Sequence, residues 1–310
     1  TLTACILAAC GGDDSNSVNK DASRTSQVFT TEGHSLTIYI PESGAKVGKT
    51  VFDINIQETD GTAVSSVTPN MLPMMAMEAG HKHSSPHTGC TQTDSEGNAQ
   101  CSVYFLMPSE MNNVVMGKWD LEFSLPDYEE VVNFAPMVTM PMGDTVLAKL
   151  KGGADDQMPT MAMTMAMADM QMDEMPAASP RTYFIFNNGI TATGDNRSVE
   201  LFLAAKESMK SFPALTAGLT LNEGSTGELS IDSIDNVIVK VSADNSTWSD
   251  AIAKGEGIWQ ASGISGLTTT LYVSLSVNGD QKTVDGDVAG DNNASATFTL
   301  SSADMSEMEM

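Results

Sequence analysis

The chain has 310 residues, of which 40 are Asp or Glu and 15 are Lys or Arg, and it carries a formal net charge of −25 at pH 7. This field repels phosphate backbones and anionic lipid surfaces, which excludes nucleic acid as a partner, and it attracts cations. Methionine is the outlier in composition, with 22 residues against 10 Phe, 5 Tyr and 3 Trp. A functional interpretation therefore has to explain the methionines.

The first residues are typical of the end of a bacterial lipoprotein signal. A short apolar run ends at Cys10, after Leu7-Ala8-Ala9, and polar residues follow at once. This is similar to the lipobox at which a signal peptidase leaves an acylated cysteine. No basic segment precedes the run, so we expect this sequence to begin inside the signal. The pattern predicts a signal remnant at 1–9, a flexible lipidated tether at 10–28, and a lipid anchor in the outer or inner membrane, facing the periplasm or cell surface.

From His34 onward, short segments rich in β-branched and aromatic residues are separated by Gly, Asn and Asp, which predicts strands. The predicted strands lie at 36–41, 51–56, 101–106, 119–125, 131–134, 146–150, 182–186, 198–203, 237–241, 271–277 and 294–300. Helical periodicity is absent outside the methionine segments. We predict an all-β fold with two immunoglobulin-like β-sandwich domains, at 29–150 and 181–300, joined by a Met-rich low-complexity linker at 151–180 and followed by an acidic Met-rich tail at 301–310.

The segment 71–90 concentrates side chains that ligate metals. Its candidate ligands are Met71, Met74, Met75, Met77, His81, His83 and His87. Thioether sulfur favours Cu(I), whereas imidazole serves copper in either oxidation state and also zinc. A single loop histidine or core methionine is usually structural, but the combination favours a metal site. We predict a Cu(II) site on the three histidines, two of which share one face if the chain is extended there, and Cu(I) binding by the methionines.

Two cysteines flank a predicted turn at 94–97. Cys90 and Cys101 are symmetric about Ser95-Glu96, so a hairpin through this turn sets them opposite each other. In an oxidising compartment this arrangement predicts a disulfide. The alternative is that Cys90 is a thiolate ligand beside His87.

Several short motifs lie close together before residue 140. They are Gly44-Ala45-Lys46-Val47-Gly48, Asp60-Gly61, Met74-Met75 with His81 and His83, the turn at 94–97, and Met116-Gly117-Lys118-Trp119-Asp120-Leu121. Over residues 28–139 the chain thereby resembles the YtkA-like family, small extracytoplasmic β-sandwich domains related in pattern to the FixH proteins. The resemblance implies a copper-handling envelope protein. The chain departs from the family in carrying Cys90, Cys101 and extra methionines, so the family's own ligands do not map simply.

Further methionines extend the copper interpretation. Met137, Met140 and Met142 form one cluster, and a terminal cluster holds Met305, Met308 and Met310. The linker contributes Met158, Met161, Met163, Met165, Met167, Met170, Met172 and Met175. These tracts resemble the methionine motifs of copper transport and resistance proteins, which implies weak thioether sites for Cu(I). A disordered spacer and a sacrificial oxidant sink are the alternatives.

No motif of catalysis is present, since the chain has no nucleophile elbow, phosphate loop or dinucleotide fingerprint, and we predict that the protein is not an enzyme. The sequence favours a lipid-anchored copper chaperone, buffer or resistance component with a copper-delivery partner. A structural or adhesive surface protein with incidental methionines is the alternative. A subunit of an envelope oxidase assembly is a third interpretation.

Overall fold

The computed structural model describes residues 25–77, 80–126, 131–158, 179–221, 233–287 and 293–301. In these ranges the regular structure is entirely β, which confirms the predicted fold class. None of the described segments forms a helix long and apolar enough to cross a membrane. The signal remnant and most of the tether, including Cys10, lie outside the described residues.

The strands of the first part of the chain are mostly short and are separated by turns. They are β1 (Ser26–Thr30), β2 (His34–Tyr39), β3 (Ala45–Lys46), β4 (Gly48–Glu58), β5 (Asn70–Ala76), β6 (Lys82–Ser84), β7 (His87–Cys90), β8 (Asn98–Phe105), β9 (Glu110–Met111), β10 (Val114–Val115), β11 (Lys118–Ser124), β12 (Val131–Phe134) and β13 (Val138–Thr139).

Two sheets of these strands face each other and form the first sandwich. One has the order β1-β2-β4-β8-β7 and the other the order β12-β11-β5-β6. Residues alternate between the two faces of a strand, so Phe52, Ile54 and Ile56 of β4 are buried on one side. They share a core with Trp119 and Leu121 of the opposite sheet. The small strands β3 and β13 pair in parallel at the margin.

The remaining strands form a second pair of sheets. The strands are β14 (Leu147–Lys151), β15 (Gln157–Met158), β16 (Ser179–Pro180), β17 (Thr182–Thr193), β18 (Asn196–Ala205), β19 (Leu219–Thr220), β20 (Ser233–Ile234), β21 (Val237–Ser242), β22 (Ser249–Asp250), β23 (Ile252–Gly255), β24 (Ile258–Ser265), β25 (Thr270–Val277), β26 (Asp280–Gln281) and β27 (Ala296–Thr299).

The second sandwich has its own core of Leu, Val and Ile with Tyr183 and Trp259. One sheet has the order β14-β17-β18-β24-β23, and the other joins β22, β21, β25 and β26, with β27 paired to β25. The predicted first domain extends to residue 150, whereas β14 is paired with β17 of the second sandwich. Its buried Leu150 belongs to the second core. The reason is long-range pairing, which a local strand pattern does not specify.

An aromatic cluster joins the two sandwiches. The neighbours of Tyr104 in β8 face the core of the first sandwich. The Tyr104 ring therefore lies on the outer face of that sheet. It stacks on Phe202 with ring centroids 3.8 Å apart, and its centroid is 5.1 Å from that of Phe186. Asn188 donates a hydrogen bond to the Tyr104 hydroxyl at 3.2 Å. The sheets therefore pack face to face through aromatic side chains.

A buried ionic network lies next to the residues that flank the segment 159–178. The two carboxylate oxygens of Asp156 lie 3.0 Å from Arg181 Nε and 2.8 Å from Lys282 Nζ, and the Tyr183 hydroxyl donates to Asp156 at 2.7 Å. All four side chains are buried. Because β15 pairs with β16, this network ties both ends of the segment to the second sandwich. A Cβ at Gly152 would collide with Asp156, which explains the glycine there.

Candidate metal site

Strand alternation separates the four methionines predicted to act as one set. Met71 and Met75 are on the core face of β5 and are 4% and 0% exposed. Met74 lies on the opposite face, and Met77 lies beyond the end of the strand. Four residues of strand span about 13 Å, so even Met71 and Met75 are too far apart along the strand to share one ion. The four methionines are therefore not placed to share one ion, and their predicted binding of Cu(I) stays a prediction.

The three histidines also have different surroundings. His81 precedes β6 and is exposed, His83 is buried within β6, and His87 begins β7 and is half-buried. Among the described residues, no group of three or more His, Cys, Asp or Glu is placed to hold one metal ion. The described residues thus give no three-ligand cluster for the predicted Cu(II) site on His81, His83 and His87, whose side chains differ in burial and lie on different elements.

His83 lies in a pocket of soft and aromatic side chains. Its Nε2 is 3.2 Å from the sulfur of Met107. The His83 and Trp119 rings meet edge to face, with centroids 5.5 Å apart. Across the sheet, Met75 is the Cα partner of His83 on one side and of Trp119 on the other. Met75 thus occupies the position between them on the same buried face.

Two further contacts hold this pocket in place. Trp119 Nε1 donates a hydrogen bond to the carbonyl oxygen of Met107 at 3.0 Å, which fixes the residue that carries the thioether. Gly117 lies against Met75, since a Cβ at position 117 would come within 2.8 Å of the Met75 methyl carbon. One sheet, through β5, β6 and β11, and the segment that follows β8 therefore converge on His83.

The hydrogen bond of the second ring nitrogen assigns the tautomer of His83. Nδ1 is 2.8 Å from the carbonyl oxygen of Ser84, and a carbonyl only accepts, so Nδ1 carries the hydrogen. In a neutral imidazole Nε2 is then an acceptor. The Met107 thioether is also an acceptor. Two lone-pair donors to a metal therefore face each other at 3.2 Å, and an electrophile between them would satisfy both.

The electrostatics of the pocket oppose a proton as that electrophile. Burial lowers the pKa of His83 below its ordinary value; the hydrogen bond to Ser84 raises this pKa, and the Lys206 ammonium lowers it. Imidazole ligands of metals commonly donate their other N–H to a backbone carbonyl, which orients the ring. Metal bonds to nitrogen and sulfur are about 2.0 and 2.3 Å long, so one ion can reach both donors. The set of donors, one imidazole with thioethers, suits Cu(I).

Met107 is the ligand candidate that the sequence did not reveal. It lies 24 positions from His83 and outside every methionine cluster, directly after β8. The available signal was its place in Phe105-Leu106-Met107-Pro108, where a strand ends at a proline. That signal predicts the end of a strand but not the element it meets.

The cysteine prediction is confirmed. Cys90 and Cys101 are Cα partners on β7 and β8 and form a disulfide, with Cα atoms 4.0 Å apart. The connecting turn places Gly97 at a φ of 81°, which favours glycine. A disulfide sulfur is not a thiolate ligand, so the alternative role for Cys90 is wrong. Nearby, burial lowers the pKa of His87.

The methionines of the linker contribute little to the described structure. Met158 is buried in β15 and is 6% exposed. The other predicted linker ligands lie outside the described residues, as does the terminal cluster; they are Met161, Met163, Met165, Met167, Met170, Met172, Met175, Met305, Met308 and Met310. Their predicted role in binding Cu(I) stays a prediction.

Comparison with known proteins gives similarity to solved structures only. No family model and no curated protein matches the chain. One similar structure is a conserved domain protein from Bacillus anthracis, at 13% identity and a TM-score of 0.34, covering 86% of this chain and 82% of that one. Domains 5–6 of the S-layer protein SbsC match at 10% identity and a TM-score of 0.23, over 89% and 98%. The Escherichia coli adhesin FdeC matches at 13% and 0.21, over 84% and 60%.

Proposed function

We propose that the protein binds Cu(I) in its first sandwich, with His83 Nε2 and Met107 Sδ as ligands and Met75 as a further thioether. The facing pair of acceptors at 3.2 Å is the observation that supports this proposal. The protein then acts as a copper chaperone, buffer or resistance component at the cell envelope. Compared with the sequence-based hypothesis, the site is smaller and uses one histidine.

The chemistry of the compartment supports thioether ligands. The Cys90–Cys101 bridge is typical of an oxidising environment. Thiolates are lost to disulfides there, whereas thioethers are not, so methionine keeps a soft donor available for Cu(I). The net charge of −25 raises the local concentration of cations. The copper chemistry and the disulfide are therefore compatible in one domain.

The proposal is tested by competition with a chromophoric Cu(I) chelator and by titration with Ag(I), a redox-inert substitute for Cu(I). We expect one tightly bound ion per chain, with quenching of Trp119 fluorescence. His83→Asn and Met107→Leu should each weaken binding by at least the roughly 10- to 100-fold that loss of a second-shell partner costs.

His81→Asn and Met74→Leu are the matched controls, because one is an exposed histidine and the other is a methionine on the outer face of β5. Both should bind as the unaltered chain does. Equal affinity in all four variants, or no affinity above that of an unrelated acidic protein, contradicts the proposal and leaves the adhesive alternative as the leading interpretation.

We also propose that Cys10 carries lipid and anchors the protein in an envelope membrane. The Leu7-Ala8-Ala9-Cys10 pattern supports this. Cys10→Ser in the full precursor should move the protein from the membrane to the soluble fraction. Intact mass of the mature protein checks the anchor, and a mature form that retains Thr1 to Ala9 without lipid contradicts it.

A further inference from the structure

The proposed Cu(I) site lies at the base of a short projecting hairpin. Strands β9 and β10 pair through Asn112 and Asn113, whose φ angles of 53° and 62° are those of a two-residue hairpin turn. Backbone N–H groups of Met116 and Gly117 donate to the carbonyl of Ser109 and close the base. One arm therefore begins just after Met107, and the other ends next to Gly117, which lies against Met75.

Thioethers occur at the tip as well as at the base of this hairpin. Met111, at the tip, is 44% exposed. Met107 and Met116, at the base, are half-buried against the core of the first sandwich. Ser109 and Met111 are about 7 Å apart along the strand, and the backbone of Met116 is hydrogen-bonded to Ser109. Met111 is therefore about one step along the hairpin from Met116.

A second methionine segment runs beside the hairpin. Ser109 is joined to Val138 by two hydrogen bonds, one from its own backbone N–H and one to its side-chain oxygen. This brings Met137 and Met140 alongside, and they are 66% and 50% exposed. Three exposed methionines, Met111, Met137 and Met140, therefore lie around one hairpin.

We propose that Met111, Met137 and Met140 capture Cu(I) at the surface and that Met116 and Met107 pass it to the buried site. The inference rests on the proposed function of that site. His83 and Met75 are 6% and 0% exposed, so an ion from solvent needs an intermediate donor. Thioethers bind softly and without proton release, and a weak multi-site path both accepts and releases an ion quickly.

The experiment measures the rate and the equilibrium of the same transfer. Cu(I) is supplied as a coloured chelator complex to the full chain lacking its lipid. The loss of colour is followed by stopped flow. The variant Met111→Leu/Met137→Leu/Met140→Leu should load about tenfold more slowly, within the one to three decades over which on-rates vary for one site. Its equilibrium affinity should stay within twofold of the unaltered chain.

Met142→Leu is the matched control, since Met142 is 96% exposed in the same segment but lies beyond the part joined to the hairpin. It should load at the normal rate. A triple variant that loads as fast as the control overturns the entry route while leaving the buried site intact. A triple variant whose equilibrium affinity falls in parallel with its rate also overturns it. Loss of equilibrium binding in Met107→Leu tests the proposed function separately.

Discussion

The two sandwiches differ in how their buried hydrogen-bond donors and acceptors are paired. In the second, the cationic groups of Arg181 and Lys282 point at the carboxylate of Asp156, so donors meet an acceptor. In the first, His83 Nε2 faces the thioether of Met107, so an acceptor meets an acceptor. A donor–acceptor network is a structural tie, whereas two facing acceptors suit the Cu(I) ion that we propose to bind between them. The fold class is the same in both, so the proposed difference in function rests on the side chains alone.

The largest expected effect is on the structural tie. Asp156→Asn leaves two buried cations beside a neutral amide, and breaking a buried ion pair in this way costs about 3–5 kcal/mol. Denaturant unfolding, followed by hydrogen exchange of β18 and β25, checks the loss of stability in the second sandwich. Asp155→Asn is the control because Asp155 is exposed. If both variants unfold within about 0.5 kcal/mol of the unaltered chain, which is normal for surface changes, the network is not a tie.

The disulfide provides the second test, on the other sandwich. Cys90 and Cys101 are 11 positions apart, and a loop of this length gives about 3 kcal/mol in the chain-entropy description. Cys90→Ala/Cys101→Ala should therefore lower the stability of β4 and β8 while leaving β18 and β25 protected from exchange. Metal affinity should persist, because the sulfurs are not ligands. Uniform loss of protection in both sandwiches would show that they unfold as one unit.

A smaller effect should appear on mild acidification. Burial lowers the pKa of both His83 and His87 in the folded protein. An unfolded histidine has a pKa of about 6.5, so between that value and the lower folded pKa the unfolded chain binds more protons. The free energy of unfolding therefore falls as pH drops from about 7 toward 5. All four histidines, His34, His81, His83 and His87, precede the second sandwich, so this loss belongs to the first.

Thermal unfolding at pH 7 and pH 5.5 measures this dependence, and hydrogen exchange assigns it to a sandwich. The variant His83→Asn/His87→Asn should show a flatter dependence on pH, because it lacks the two groups whose folded pKa is lowered. An unchanged slope in this variant would contradict the assignment.

Local patterns predicted much of the fold but only one of the two main ligands that we propose. The strands β4 and β11 followed from alternation and β-branched residues, and the disulfide followed from the symmetry of Cys90 and Cys101 about a turn. Each of these signals operates between near neighbours in sequence. His83 was identified by its residue type, but Met107 reaches it only through the packing of β8 and β11 around Trp119. Contact between distant strands is specified by the whole core, so no single motif contains it.

The sequence also did not reveal which of the methionines of β5 lies beside His83. Composition treats every methionine in a segment alike, whereas the pleat of β5 sends alternate side chains to opposite faces. Met71 became a core residue away from His83, and Met75 became its cross-strand partner. The same alternation that predicts a strand therefore also divides its candidate ligands, once the position of the histidine is known.

The smallest expected effect separates these two methionines. Met71 and Met75 are both buried on the same face of β5, and a volume-conserving change to Leu usually costs less than about 1.5 kcal/mol. Met71→Leu and Met75→Leu should therefore unfold at similar denaturant concentrations. Only Met75→Leu removes a sulfur beside His83, so it alone should weaken Ag(I) binding, as measured by chelator competition. Equal affinities in the two variants would mean that Met75 is core packing, with His83 and Met107 left as the two ligands.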